Sequence, residues 1–202
     1  MLSFLQDSIH DKEHVYRVCN IAVDIARYEK DVDMDILMVS CILHDIGRPA
    51  ERNNPSISHA QVGGEKAFDF LCQNGWSEER ANAVKACITQ HRFRKNNPPL
   101  SIEAKILFDA DKFDATGLIG IARTLMYKGL LSEPMYTFNE DGTVSDGDGD
   151  KDPSFMQEYK FKLEKLYDKF YTQRCKELAI KRKKNAMLFY SGLLDELKDV
   201  YK

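Results

Sequence analysis

Apolar residues recur at intervals of three and four along nearly all of the 202-residue chain, and no run alternates as a half-buried strand would. That period restricts the chain to an all-α fold. It predicts a first helix over about residues 3–29, with Val15, Val18, Ala22 and Ile25 on the buried stripe. Asp33 can cap a second helix, which Gly47 and Pro49 end, and Ser58 with Gln61 fits a capping box opening a third, stopped by Gly75. Ser77, Glu78 and Glu79 open a fourth helix with the stripe Ala81, Val84, Ile88 and His91. Ser101 begins a fifth, and Gly117 either kinks it or separates it from 118–128. The acidic, Gly-rich stretch N-E-D-G-T-V-S-D-G-D-G-D-K-D at 139–152 predicts a mobile loop over about 137–152. Asp152 and Pro153 fit a cap and first helical position, with helices expected over 153–171 and 173–200. The expected layout is one domain over 1–202. Its core is about 1–128, and the C-terminal helices of about 153–200 pack back on that core.

Composition narrows the partners. Hydrophobic residues make up 43% and charged residues 30%, and a net charge of −3 gives no attraction to nucleic acid or an anionic membrane. No apolar run approaches the ~18 residues of a membrane span, and the N-terminus M-L-S-F-L-Q-D-S-I-H-D carries acid where a signal peptide needs base. Cys19, Cys41, Cys72, Cys87 and Cys175 lie far apart without a C-x-x-C, and three of them fall inside apolar helical patterns. They read as buried thiols of a reducing compartment, so a cytoplasmic protein is expected.

Chemistry enters at residues 41–48, C-I-L-H-D-I-G-R, where His44 and Asp45 leave an almost wholly apolar helix together. Desolvating that pair is costly, and a divalent cation offsets the cost. Helical phase finds it partners. His14 shares a face with Val18, Ile21 and Ile25 and points inward. On the fifth helix Leu107, Asp111, Asp114 and Leu118 share a face, whereas Asp109 lies four after Lys105 and three before Lys112, as in an exposed ion-pair ladder. His14, His44, Asp45 and Asp111 thus offer two nitrogens and two carboxylates. That set suits one six-coordinate cation with two positions for water or substrate oxygen. Mn²⁺ is the foremost candidate; Fe²⁺, Co²⁺, Ni²⁺, Mg²⁺ and Zn²⁺ stay open. His59 opens the third helix and His91 continues the stripe of the fourth, so either can rim the same cleft; a second metal, a phosphate contact or a structural role are all open. Arg17, one turn beyond His14, and Arg48, three after Asp45, suit an anionic substrate. Asp146, Asp148 and Asp150 do not make a calcium loop, because its sixth position is Lys151 and its twelfth Gln157.

The pattern His14, His44-Asp45, Asp111 resembles the H…HD…D signature of the HD-domain superfamily of metal-dependent phosphohydrolases. H-V-Y-R-V at 14–18, L-H-D-I-G-R at 43–48, A-C-I-T-Q-H-R, D-A-D-K-F-D-A-T-G-L-I-G-I-A-R at 109–123 and T-Q-R-C-K-E-L-A-I-K-R resemble a subgroup of small bacterial HD hydrolases, over nearly the whole chain. The resemblance implies an all-α HD bundle, with one cation held by those four residues. It also implies a nucleotide substrate, with pyrophosphohydrolysis of nucleoside triphosphates to monophosphate and pyrophosphate. Many HD nucleotidases carry Glu three residues after the dyad Asp; here Arg48 stands there, which departs from the monophosphatase pattern. On this reading a cation-activated water attacks phosphorus, with Arg17 and Arg48 offsetting charge on the phosphate. Asp114 holds the water or accepts its proton, and His59 or His91 protonates the leaving group. The alternatives are a nucleotide or small-metabolite phosphomonoesterase, or a non-hydrolytic nucleotide sensor. Either a monomer or a homodimer fits.

Overall fold

The protein is described by a computed structural model covering residues 12–92 and 97–201. It is all-α as the periodicity requires: among the described residues the extended pairing is one isolated bridge, Phe138 with Val144. No described helix is long and apolar enough to cross a membrane. The chain divides into two compact units, residues 1–111 and 112–202.

In the first unit, α1 (Lys12–Ala26) packs on α2 (Met34–Leu43), α2 packs on α5 (Glu78–Gln90), and α5 packs on α4 (His59–Gln73). The expected start of α1 near residue 3 lies outside the described residues. The α2 sequence M-D-I-L-M-V-S-C-I-L can only be a core helix, and its start is fixed from three sides. Asp33 accepts from the amides of Asp35 and Ile36 at 3.1 Å, takes the Arg80 guanidinium of α5 at 2.8 Å, and donates its own N–H to Glu103 at 2.9 Å. Leu43, Ala67, Leu71, Ala81, Val84 and Ile88 form the core beneath. The helix stops at Leu43, before Gly47, and Pro49 instead sits in the first turn of a short helix the periodicity missed, α3 (Arg48–Asn53). Ser58 stands at the start of α4 but makes no side-chain cap, so the expected capping box does not form. Ser77 does cap α5.

The last helix of this unit, α6 (Ile102–Asp114), corrects one expectation. Ala104, Ile106, Leu107, Phe108, Asp109 and Ala110 are all buried. Asp109 is therefore not on an exposed ladder. Spacing from lysines predicts surface pairing only where a helix has a solvent face, and this stretch has none.

In the second unit, Gly117 separates α7 (Gly117–Leu130) from α6; its φ of +64 is a left-handed conformation that favours glycine. The expected helix over 153–171 is broken. Ser154, not Asp152, caps α8 (Phe155–Glu158), a π turn follows at Tyr159–Leu163, and a 3-10 turn at Leu166–Asp168. The long α9 (Gln173–Val200), capped by Thr172, closes the chain. Ile121, Phe155, Met156, Tyr159, Leu163, Leu166, Ala186 and Tyr190 form the core, with Tyr159 and Tyr190 stacked at 4.3 Å.

The acidic segment is also more ordered in its bonding than its composition indicates. Asp150 accepts from Thr137 at 2.6 Å and Ser145 at 2.7 Å, Tyr190 donates to the Asp146 carbonyl at 2.5 Å, and Val144 and Ser145 are buried. Asp141, Asp146 and Asp150 accept hydrogen bonds from within the segment, while Asp141 and Asp146 stay exposed.

Candidate metal centre

Three helical elements of the first unit bring the expected ligands to one point. His14 comes from α1, Asp111 from α6, and His44 with Asp45 from the turn just past α2. His14, His44 and Asp45 are each no more than 2% exposed. His44 Nδ1 lies 2.8 Å from the Cys41 carbonyl, which can only accept, so Nδ1 carries the proton and Nε2 offers its lone pair. That Nε2 is 3.2 Å from His14 Nε2 and 3.5 Å from Asp45 Oδ2, and His14 Nε2 is 3.5 Å from Asp111 Oδ1. Ligands bonded at ~2.1 Å to a common cation stand ~3.0–3.4 Å apart; the pairs His14–Asp45 at 3.8 Å and His44–Asp111 at 4.0 Å are wider and must draw in to share one ion. Lone pairs and carboxylates converging in a buried place repel unless positive charge lies among them. The donor set fits a divalent cation.

A second group shares the same aspartate. Asp45 turns Oδ1 the other way, 3.7 Å from His59 Nε2 and 3.9 Å from His91 Nε2, and these two nitrogens are 3.3 Å apart. Both tautomers are fixed. His59 Nδ1 donates to Glu51 Oε2 at 2.6 Å and His91 Nδ1 donates to the Ile88 carbonyl at 2.5 Å. Asp45, His59 and His91 can hold a cation as His14, His44 and Asp45 can. Burial, reinforced by the Arg48 charge, pushes the His59 imidazole down to about 4.

Arg48 begins α3 and reaches back, donating Nε to Asp45 Oδ1 at 2.9 Å and Nη1 to Glu51 Oε2 at 3.1 Å. Burial opposes its charge, but Asp45, Asp111 and Glu51 outweigh burial and hold it protonated. Arg92, just past α5, donates to Glu51 Oε1 at 2.5 Å. Burial pushes the Glu51 carboxyl up; His59 and Arg92 more than reverse this and hold it ionised. Glu51 and Arg92 escaped the sequence reading because neither lies on an apolar stripe. The E at the fourth position of R-P-A-E-R-N is a signal only once a helix is placed there.

Arg17 is part-buried on α1, three residues after His14. Asp114 falls in the second unit, fully buried, where Arg123 donates to it at 2.6 Å.

Gly47 lets this arrangement close. A Cβ there would collide with the carbonyl of His59 and stand 2.7 Å from the amide of Gly63, so only glycine lets the turn after the dyad lie against α4.

With the ligands in place, the kinship of the chain can be read. The HD domain family matches residues 12–116, which contain His14, His44, Asp45, His59, His91 and Asp111. The chain belongs to the HD domain family. It is 31% identical to the Bacillus subtilis protein YpgQ over 195 residues, 95% of this chain and 85% of that protein. YpgQ crystallised in complex with ADP superposes with a TM-score of 0.74 at 26% identity, covering 96% of this chain and 94% of that one. An HD-superfamily hydrolase from Bacillus thuringiensis superposes at 0.69 with 26% identity, over 95% and 88% of the two chains. These matches span both units, so the HD domain and the helices beyond residue 116 recur together in these relatives.

Proposed function

We propose that this HD protein is a divalent-cation-dependent phosphohydrolase that splits nucleoside triphosphates into a nucleoside monophosphate and pyrophosphate. The observation that carries this reading is that both imidazoles, His14 and His44, lie 3.2 Å from each other and 3.5–4.0 Å from the carboxylates of Asp45 and Asp111, with Arg48 on Asp45. The ADP complex of YpgQ supports a nucleotide as the ligand class.

A cation at this place supplies Lewis-acid polarisation of a phosphoryl oxygen and makes a water acidic enough to attack near neutral pH. The chain supplies the rest. The four ligands fix where the reacting phosphorus sits, and their burial excludes other water. Water forms the new O–P bond at the α-phosphorus and loses a proton to solvent, the bond to the bridging oxygen breaks, and pyrophosphate leaves with that oxygen. Arg48, with Nε and Nη1 committed to Asp45 and Glu51, keeps Nη2 for a phosphate oxygen. Arg17 is assigned to the same phosphate chain from the α1 side. Mn²⁺ is the preferred ion, because two imidazoles disfavour Mg²⁺.

A second reading concerns ion number. The fixed tautomers of His59 and His91 beside Asp45 Oδ1 favour a second cation over a general-acid role for either. Elemental analysis of protein purified without chelator separates one ion per chain from two.

The reaction itself is tested by incubating Mn²⁺-loaded protein with ribo- and deoxynucleoside tri-, di- and monophosphates. Equimolar monophosphate and pyrophosphate are expected. Orthophosphate as the first product makes the protein a phosphomonoesterase, and saturable nucleotide binding without product makes it a sensor.

A further inference from the structure

Two guanidiniums meet on one carboxylate beside the metal centre. Arg48 Nη1 lies 3.1 Å from Glu51 Oε2 and Arg92 Nη1 lies 2.5 Å from Glu51 Oε1, although Arg92 and Glu51 are 41 residues apart. Glu51 also receives His59 Nδ1, so the carboxylate that orders both arginines is the one that aims an imidazole at Asp45. From this juxtaposition we infer that Arg48 and Arg92, splayed on Glu51, form the subsite for the terminal phosphates of a triphosphate and for the pyrophosphate that leaves. The inference rests on the proposed triphosphate hydrolysis and adds a residue, Arg92, and a division of the site into reacting and leaving phosphates.

Two features point to an anion rather than to a structural ion-pair cluster. The side chains of Arg48, Glu51 and Arg92 are 25%, 18% and 32% exposed, against 2% or less for the four imidazoles, so the cluster is the wet edge of a dry centre. Donors are left over: among the described residues Arg48 Nη2, Arg92 Nη2 and Arg92 Nε take no partner. A guanidinium held by one edge keeps its other edge fixed in direction, which is how bidentate phosphate recognition is prepared without further ordering cost. Glu51 sets where they wait, as a positioning residue.

The test measures binding of inorganic pyrophosphate by calorimetry, and triphosphate turnover, in the Mn²⁺-loaded full chain and in Arg92→Ala and Arg92→Lys. For Arg92→Ala, pyrophosphate affinity is expected to fall about 10- to 100-fold and KM for the triphosphate to rise in step. Metal content and monophosphate affinity stay at the wild-type level. Arg92→Lys, which keeps the charge but not the fork, is expected to lose part of that affinity, and serves if the alanine variant melts below the assay temperature. Unchanged pyrophosphate affinity and KM in either folded variant overturns the assignment. Equal loss of monophosphate and pyrophosphate affinity overturns it as well, because Arg92 would then not distinguish the leaving phosphates. A wild-type chain that yields no pyrophosphate from triphosphates removes the functional reading itself, a result distinct from a wild type that turns over and an Arg92 variant that matches it.

Discussion

Asp45 divides its two oxygens between two pairs of imidazoles. Oδ2 faces His14 and His44, and Oδ1 faces His59 and His91 while accepting from Arg48. Asp45→Asn, which keeps the shape and loses the charge, is therefore expected to strip metal from both groups and to lower turnover by about 10³-fold or more. His91→Ala leaves the ion at His14 and His44 in place. Elemental analysis of the two variants checks the difference. The cysteines give a second expectation. A hydrogen bond from Cys41 draws the Cys19 thiol down, the same bond and burial push Cys41 well up, and burial pushes Cys87 up to about 11. Only the thiolate reacts, and at pH 8 about one part in 10³ of a thiol with pKa near 11 is ionised. Labelling of the native chain at pH 8 should thus modify Cys19 and half-buried Cys72, and spare Cys41 and Cys87 until unfolding; mass mapping of labelled peptides reads this directly. The approach of His14, His44, Asp45 and Asp111 to one another was legible in the sequence because each lies at the inward phase of an apolar helix or at its end. Asp109 was not, because both sides of its helix are buried. Glu51 and Arg92 were not, because they meet only through the fold.

Among elements, the turn from α2 to α4 decides the site. The apolar composition of α2 and its Asp33 cap made that helix legible, and its stop before Gly47 delivers the dyad just where the core ends. What the pattern could not show was a short helix of R-P-A-E-R-N, too brief and polar to carry a period, or the break of 153–171 into α, π and 3-10 turns. Gly47→Ala forces backbone to move, since the new Cβ meets the His59 carbonyl and the Gly63 amide. A stability loss of about 1–3 kcal/mol or more is expected by denaturant titration. Because α4 carries His59, turnover should fall further than the stability loss accounts for. A Gly47→Ala chain with wild-type stability and turnover would show that this approach is not needed.

For the whole molecule, the first unit holds every candidate ligand, and the second packs around its own aromatic core. One domain with its C-terminal helices packed back on the core was the sequence expectation, and it stands as our proposal for the intact protein. A cation that binds only the folded first unit stabilises it by mass action, by about 2.7 kcal/mol at a hundredfold excess over Kd. Mn²⁺ is expected to raise the melting temperature by about 5–10 °C and chelator to reverse the shift, as differential scanning calorimetry would read. Asp45→Asn, which disables both groups, should show neither effect. The most direct measurement is anomalous diffraction at the manganese edge from crystals grown with Mn²⁺. The expected result is a peak about 2.2 Å from His14 Nε2, His44 Nε2, Asp45 Oδ2 and Asp111 Oδ1 together. A peak that touches none of these atoms, or a fully loaded crystal with the four side chains apart, would contradict the metal centre and the hydrolase built on it.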